Sequence, residues 1–417
     1  MKKQQGEIIK FYRELKNLTQ KELGEGVCST THISKIERGL TDVSMDIIET
    51  LTDRLGIDMK SEFHNYSELE TKLKKWHDSI ILKLETRIES LKEQLNGIAL
   101  LKLPEFYRSY TLILTRYYLS KGEEKLAKSL IREMECWAGL TPYEKNMLLH
   151  IKGIYNLQYK NDEHSKTISL LKEIDLNHYN NPEYHYHLAL AYHSIRSRVL
   201  SYYHASKALL FFTESQSLSR MIETEMLMLI QVEQDEFYDP KDNQYQRLIY
   251  MAENYGLEHL HSKLIHNYGF HQLRYGQYEE ACKFYRQSME TKGPLSPYYL
   301  GSLEGYLEAL TKQGKTSNEE LLQLAEQGIS LAEKKQDITY SHFFRLHRYK
   351  LKAQEDQYFH YLETEAYPYF KEMGYVILSE HYQMKLFGYY MERGEMEKAN
   401  SYAKSIVGRL YKDDQFV

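Results

Sequence analysis

Three segments, "SKGEEKLAKSL" from Ser120, "RYGQYEEACKFYRQS" from Arg274 and "ERGEMEKANSYAKS" from Glu392, share a Gly-x4-Ala core. In each, an apolar helical run precedes the glycine (Gly122, Gly276, Gly394), and a second run carries the alanine (Ala127, Ala281, Ala399). Glycine lets the chain turn sharply, and a small alanine lets two helices approach closely. A pair of short helices buries too little apolar surface to stand alone, so such units must stack in series. Weaker copies lie around Gly153, Ala205 and Gly305, and a last pair near 379–411 would close the array. The expectation is about seven pairs.

Composition agrees with this. Only seven prolines occur in 417 residues, and no β-branched alternation is visible, so the fold class is all-α. The 38 tyrosines suit interhelical gaps better than a cofactor box. A net charge of −5 excludes bulk attraction to nucleic acid, so any such binding must come from a local patch. Cys28, Cys136 and Cys282 lie far apart without CxxC spacing, which fits a reducing cytosol and excludes a cysteine-rich zinc site. No run of eighteen apolar residues and no apolar leader after Met1 are found, so a cytoplasmic location is expected.

Catalytic signatures are missing. There is no phosphate-binding loop, no GxSxG and no GxGxxG. The histidine-rich stretch "HYNNPEYHYHLALAYH" holds His178, His185, His187 and His193, but HExxH is absent and His185 and His187 point apart on a helix. No catalytic residue, metal or cofactor is expected, and the chain does not read as an enzyme.

The first sixty residues read differently from the repeats. Ile8, Tyr12 and Leu15 mark an amphipathic helix over residues 5–16. "TQKEL" opens a second helix with Thr19 and Glu22 spaced as a capping box, and it stops near Glu25-Gly26. Ser29 or Thr30 then caps a third helix running to Arg38. Ile33 and Ile36 face inward with Leu23 and Val27, while Thr31, Ser34, Lys35 and Arg38 share the opposite, polar face. Ser44 caps a fourth helix that packs Ile47, Ile48, Leu51 and Leu55. An apolar back with a hydrogen-bonding front suits a helix that reads base edges in the major groove. The charge is locally neutral, ten Lys/Arg against ten Asp/Glu over residues 1–60, so a weakly binding monomer is implied.

"LTQKELGEGVCSTTHISKIERG" followed by "SMDIIETLTDRLGI" resembles the repressor-type helix-turn-helix, with its LTQ-x-x-L and I-S-x-I-E-x-G signatures. Under that resemblance Gln20 touches phosphate, and Ser29, Thr30, Thr31, Ser34, Lys35 and Arg38 fall on the reading helix. Arg13 and Glu37 would link the first and third helices structurally. The family's usual turn is one residue longer than the one here.

Leu69, Leu73, Trp76, Ile80, Leu84, Ile88, Leu91 and Leu95 recur at helical spacing, which predicts one long linker helix ended by Asn96-Gly97. The organisation is thus a helix-turn-helix domain at 1–62, a linker helix at 63–100 and a repeat domain at 101–417. The repeats resemble tetratricopeptide repeats, which implies a right-handed α-solenoid. Its concave side, lined by the first helices of the pairs, can hold an extended peptide.

A short-turn helix-turn-helix, a linker helix and such an array together resemble the RRNPP family of quorum-sensing regulators. The resemblance implies a homodimeric receptor that binds paired half-sites in double-stranded DNA and is switched by a short signalling peptide. In "HNYGF", Asn267 matches the asparagine that holds the peptide backbone in that family. His266, Phe270 and Arg274 share its helix, and Gln231, Tyr306 and Arg345 are candidates on adjacent first helices. The Rap branch of that family acts on response-regulator proteins, so a scaffold that inhibits a signalling protein is the alternative.

Overall fold

The computed structural model describes residues 2–160, 164–233, 244–294, 296 and 298–403. Among these residues every regular element is helical. No helix among them is long and apolar enough to cross a membrane. The chain divides into two compact units, Met1–Lys152 with Asp175–Tyr179, and Gly153–Ile174 with Asn180–Val417.

The first unit begins with α1 (Lys2–Leu15), α2 (Gln20–Gly24), α3 (Thr30–Glu37) and α4 (Met45–Leu55). Ile8, Ile9, Leu23, Ile33, Leu51 and Leu55 are fully buried between them, whereas Leu15 is exposed and only ends α1. The capping box forms as spaced: Thr19 Oγ1 accepts from the Glu22 amide at 3.1 Å, and Glu22 accepts from the Thr19 amide at 2.7 Å. Ser29 rather than Thr30 caps α3. Ser44 stands at the N-cap of α4 but makes no side-chain cap bond. Gly6 lets α1 lie directly on α3, because a Cβ there would sit 2.3 Å from the Ile36 carbonyl oxygen.

The linker departs from the single helix expected. It is a hairpin of α5 (Met59–Ile81) and α6 (Glu85–Leu95). Lys83 turns left-handed at φ +55, and the Leu84 amide caps back onto the Ser79 carbonyl at 3.0 Å. A straight helix would leave its apolar stripe bare. Folding back buries Ile88, Leu91 and Leu95 and exposes only Leu84 at the bend, and apolar burial of that size outweighs one left-handed residue. Periodicity continues across the bend, so it could not reveal it.

After a 3-10 turn (Ala99–Lys102) come α7 (Pro104–Ser120) and α8 (Glu124–Glu135), and α9 (Pro142–Tyr159) runs from the first unit into the second. Trp76 of α5 is fully buried against Tyr110 and Tyr117 of α7. Lys121 bridges Glu85 and Glu89, each at 2.7 Å.

The second unit continues with α10 (His164–Lys172), α11 (Glu183–Ser194), α12 (Arg198–Glu214), α13 (Leu218–Val232), α14 (Gln244–Asn254), α15 (Glu258–Arg274), α16 (Tyr278–Lys292), α17 (Tyr299–Gln313), α18 (Asn318–Lys334) and α19 (Ile338–Leu351). Next are α20 (Glu355–Tyr361), a π-helical turn (Leu362–Ala366), α21 (Tyr367–Glu372) and α22 (Val376–Glu392); residues 396–403 are also helical. Of the last expected pair, 404–411 lie outside the described residues. Helices pack on their neighbours in sequence, as a helical-repeat solenoid requires.

The repeat core behaves as its spacing implies. Gly276 turns at φ +74, and Ala127, Ala281 and Ala399 are fully buried. Other glycines are notches for large side chains. Tyr285 fills the space over Gly269 and Gly305, where a Cβ would come within 3.3 Å and 2.3 Å of its ring, and Leu171 does the same over Gly153.

Candidate functional site

On α3 the polar residues stand outward because Ile33 and Ile36 anchor the opposite side in the core. Ser29 is a cap: its Oγ accepts from the His32 amide at 3.2 Å. Thr30, Thr31, Lys35 and Arg38 are exposed and Ser34 is half-buried. Arg38 Nε donates to the Ser34 carbonyl at 3.1 Å, which lays its guanidinium along the end of α3. The first turn of the helix offers unpaired amides, a favourable place for a phosphate.

Behind this face lies a buried ionic cluster. Arg13 Nε donates to Glu37 Oε1 at 2.5 Å, and a terminal nitrogen donates to Oε2 at 3.1 Å. Another terminal nitrogen of Arg13 donates to the Leu18 carbonyl at 2.8 Å. The Glu37 hydrogen bond raises the Arg13 pKa above its ordinary value. The sequence resemblance points to this pair but not to its third member. Gln20 Nε2 donates to Glu37 Oε2 at 2.8 Å, so only its other amide hydrogen and its oxygen are left to offer outward. Arg54, also missed, donates to the Leu23 carbonyl at 2.9 Å and ties α4 to α2.

In the second unit, His266 and Asn267 of α15 line a cavity of about 610 Å³ together with Tyr298, Gly301 and Tyr340. Burial pushes the Tyr340 hydroxyl up to about 12. His266 Nδ1 lies 3.1 Å from Ser302 Oγ on α17. Asn267 makes no side-chain hydrogen bond among the described residues. Phe270 and Arg274 lie farther along α15, both exposed and outside the cavity wall; Arg274 approaches Glu233 at 4.0 Å.

The other candidates do not join them. The Tyr306 hydroxyl of α17 accepts from Arg286 at 2.7 Å. Arg345 of α19 donates to Glu333 at 2.6 Å and lines a different cavity, of about 580 Å³, with Asp337, His342 and Tyr361. Gln231 is buried, with its amide nitrogen 3.0 Å from His193 Nδ1 and donating to the Leu227 carbonyl at 3.0 Å. Its amide nitrogen is thus engaged inside the fold.

Residues 9–60 match the family described as helix-turn-helix. No curated protein matches the chain. Among solved structures, the apo quorum sensor NprR from B. thuringiensis is 21% identical with a TM-score of 0.58, covering 82% of this chain and 98% of that one. NprR in complex with its cognate peptide NprX is 19% identical, TM-score 0.64, covering 82% and 99%. A Rap protein complexed with competence and sporulation factor is 17% identical, TM-score 0.68, covering 83% and 98%. At these identities the likeness is one of fold. The resemblance to RRNPP regulators is thus met in the two ways open to it: a helix-turn-helix domain at the N-terminus, and the fold of NprR and Rap across four-fifths of the chain.

Proposed function

We propose that this chain is a cytoplasmic, homodimeric transcription regulator whose grip on DNA is switched by a short peptide held along α15. The carrying observation is the pairing of two features on one chain. α3 presents Thr30, Thr31, Lys35 and Arg38 to solvent, and α15 presents Asn267, without a side-chain partner among the described residues, beside a cavity of about 610 Å³. That volume lies within the usual range for small-ligand sites. A solved neighbour of the same fold, NprR, is in complex with its cognate peptide NprX, which supports the reading.

The mechanism follows from linkage. A peptide that prefers one arrangement of the dimer shifts the population toward it, and two heads hold paired half-sites only at the matching spacing. The hairpin is the lever on the head, because Tyr66 of α5 donates to Glu7 of α1 at 2.7 Å. Motion of α5 therefore carries α1, and with it α3.

The test is fluorescence anisotropy across a salt series, using DNA upstream of the chain's own gene. Lys35→Ala with Arg38→Ala should abolish the preferred site and flatten the salt slope by about one for each phosphate that the two side chains no longer touch. An unchanged site preference in the double variant would remove α3 as the reader. Asn267→Ala should weaken the peptide response while leaving the fold intact. The fold shared with Rap supports a second reading, a scaffold for a response-regulator or another signalling protein. Such a scaffold would show only weak, sequence-blind DNA affinity in the same titration.

A further inference from the structure

The cavity beside Asn267 holds a second group without a partner. Lys263 lines it, is exposed, and forms no ion pair or hydrogen bond among the described residues. Lys263 and Asn267 are four residues apart on α15, so their side chains lie about 5–6 Å apart on one face. Glu258 lines the same cavity but does not pair with Lys263 either. It sits five residues earlier, rotated off the Lys263 stripe.

We infer that Lys263 is the anchor for a carboxylate of the bound peptide, either its C-terminus or an Asp or Glu side chain. The inference rests on the proposed peptide site and adds the chemistry of its ligand. An unpaired ammonium next to an unpaired carboxamide offers a carboxylate a charge-assisted hydrogen bond and offers the adjacent peptide group an amide partner. From Lys263 the outward stripe continues through Asn267 and the exposed Phe270 to Arg274, at i, i+4, i+7 and i+11. Lys263 and Phe270 are thus about 10 Å apart along the helix, the reach of about three extended residues. The ligand is therefore a peptide with a carboxylate in the cavity and an apolar side chain about three residues away against Phe270.

The probe is a set of three random heptapeptide pools offered to the full-length protein, with retained peptides quantified by mass spectrometry. One pool has free C-termini and lacks Asp and Glu; one is amidated but contains them; one is amidated and lacks them. The first or second pool should be retained about tenfold over the third, which identifies the source of the carboxylate. Lys263→Met, which keeps the aliphatic stem, should erase that preference, and Lys263→Arg should restore it. Equal retention of all three pools by the unaltered protein, with loss of all in Asn267→Ala, overturns the carboxylate anchor but leaves the peptide site. Retention of none overturns both.

Discussion

Arg13→Met removes the cation that joins α1 to α3. In the fold its guanidinium meets both oxygens of Glu37, at 2.5 Å and 3.1 Å, and the Leu18 carbonyl at 2.8 Å. The Glu37 side chain is 3% exposed and that of Arg13 11%, so water reaches a stranded carboxylate poorly. An exposed ion pair is worth about 0–1 kcal/mol, but removing one partner of a buried pair costs about 3–5 kcal/mol. Gln20 still donates to Glu37 at 2.8 Å, which places the expected loss near the lower end, about 3 kcal/mol. In amide hydrogen exchange on the full-length protein, peptides from α1 and α3 should exchange about a hundredfold faster. DNA affinity should fall with it, although Arg13 belongs to the support behind α3. Adding Glu37→Leu should recover most of the protection, because no charge is then buried alone. An exchange change below about fivefold in Arg13→Met would mean the pair is screened like a surface bridge, and the reasoning from burial would be wrong.

Gly305→Ala would press a methyl to within 2.3 Å of the Tyr285 ring; it should lower stability by about 1–3 kcal/mol, and Tyr285→Leu in the same chain should restore part of the melting temperature. If Gly305→Ala melts with the unaltered protein, the notch is not tight. Burial, with the His185 ring and Lys207 nearby, pushes His204 from 6.5 down to about 4. The unfolded chain therefore takes up this proton first, so stability is complete above about pH 6.5 and is lost as the pH falls toward about 4. His204→Gln should flatten the melting temperature across that window, and an unaltered slope would point to other groups. Lys83→Gly should stabilise the protein slightly, since Lys83 sits at φ +55 where glycine avoids about 1 kcal/mol of strain. In one uninterrupted helix the same change would cost about 1 kcal/mol, so the sign of the shift in urea midpoint separates hairpin from rod.

The head was legible because its signals are local. Thr19 and Glu22 announce a helix start in five residues, Gly26 ends the turn at φ +68, and apolar spacing turns Ile33 and Ile36 inward. The linker was not, since its bend replaces nothing in the pattern: Leu84 occupies a proper apolar position and is the one left exposed. Only the burial of α6 against its neighbours selects the hairpin over the rod. The repeats fall between these cases. Turns marked by Gly122, Gly276 and Gly394 could be read, whereas Arg196, Gln216, Gln336 and Ala353 adopt the same left-handed turn conformation without the glycine that would advertise it. At the first of these the alanine position is also changed, to the fully buried Ser201, whose hydroxyl donates to the Ala189 carbonyl at 2.9 Å.

The candidate groove shows a further limit, one of availability rather than placement. Gln231 and Asn267 are both carboxamides on first helices of repeat pairs, and helical spacing treats them alike. Their fates are decided by residues distant in sequence. His193, on α11, takes up the Gln231 amide, while no described residue bonds the Asn267 side chain. Gln20 makes the same point in the head, where Glu37, seventeen residues on, claims one of its amide hydrogens. A polar side chain recognises a ligand with whatever hydrogen-bonding capacity the fold leaves unspent. Lys263 and Asn267 retain that capacity on adjacent turns of α15, and for that reason they carry the ligand assignment rather than the more numerous polar residues whose partners are internal.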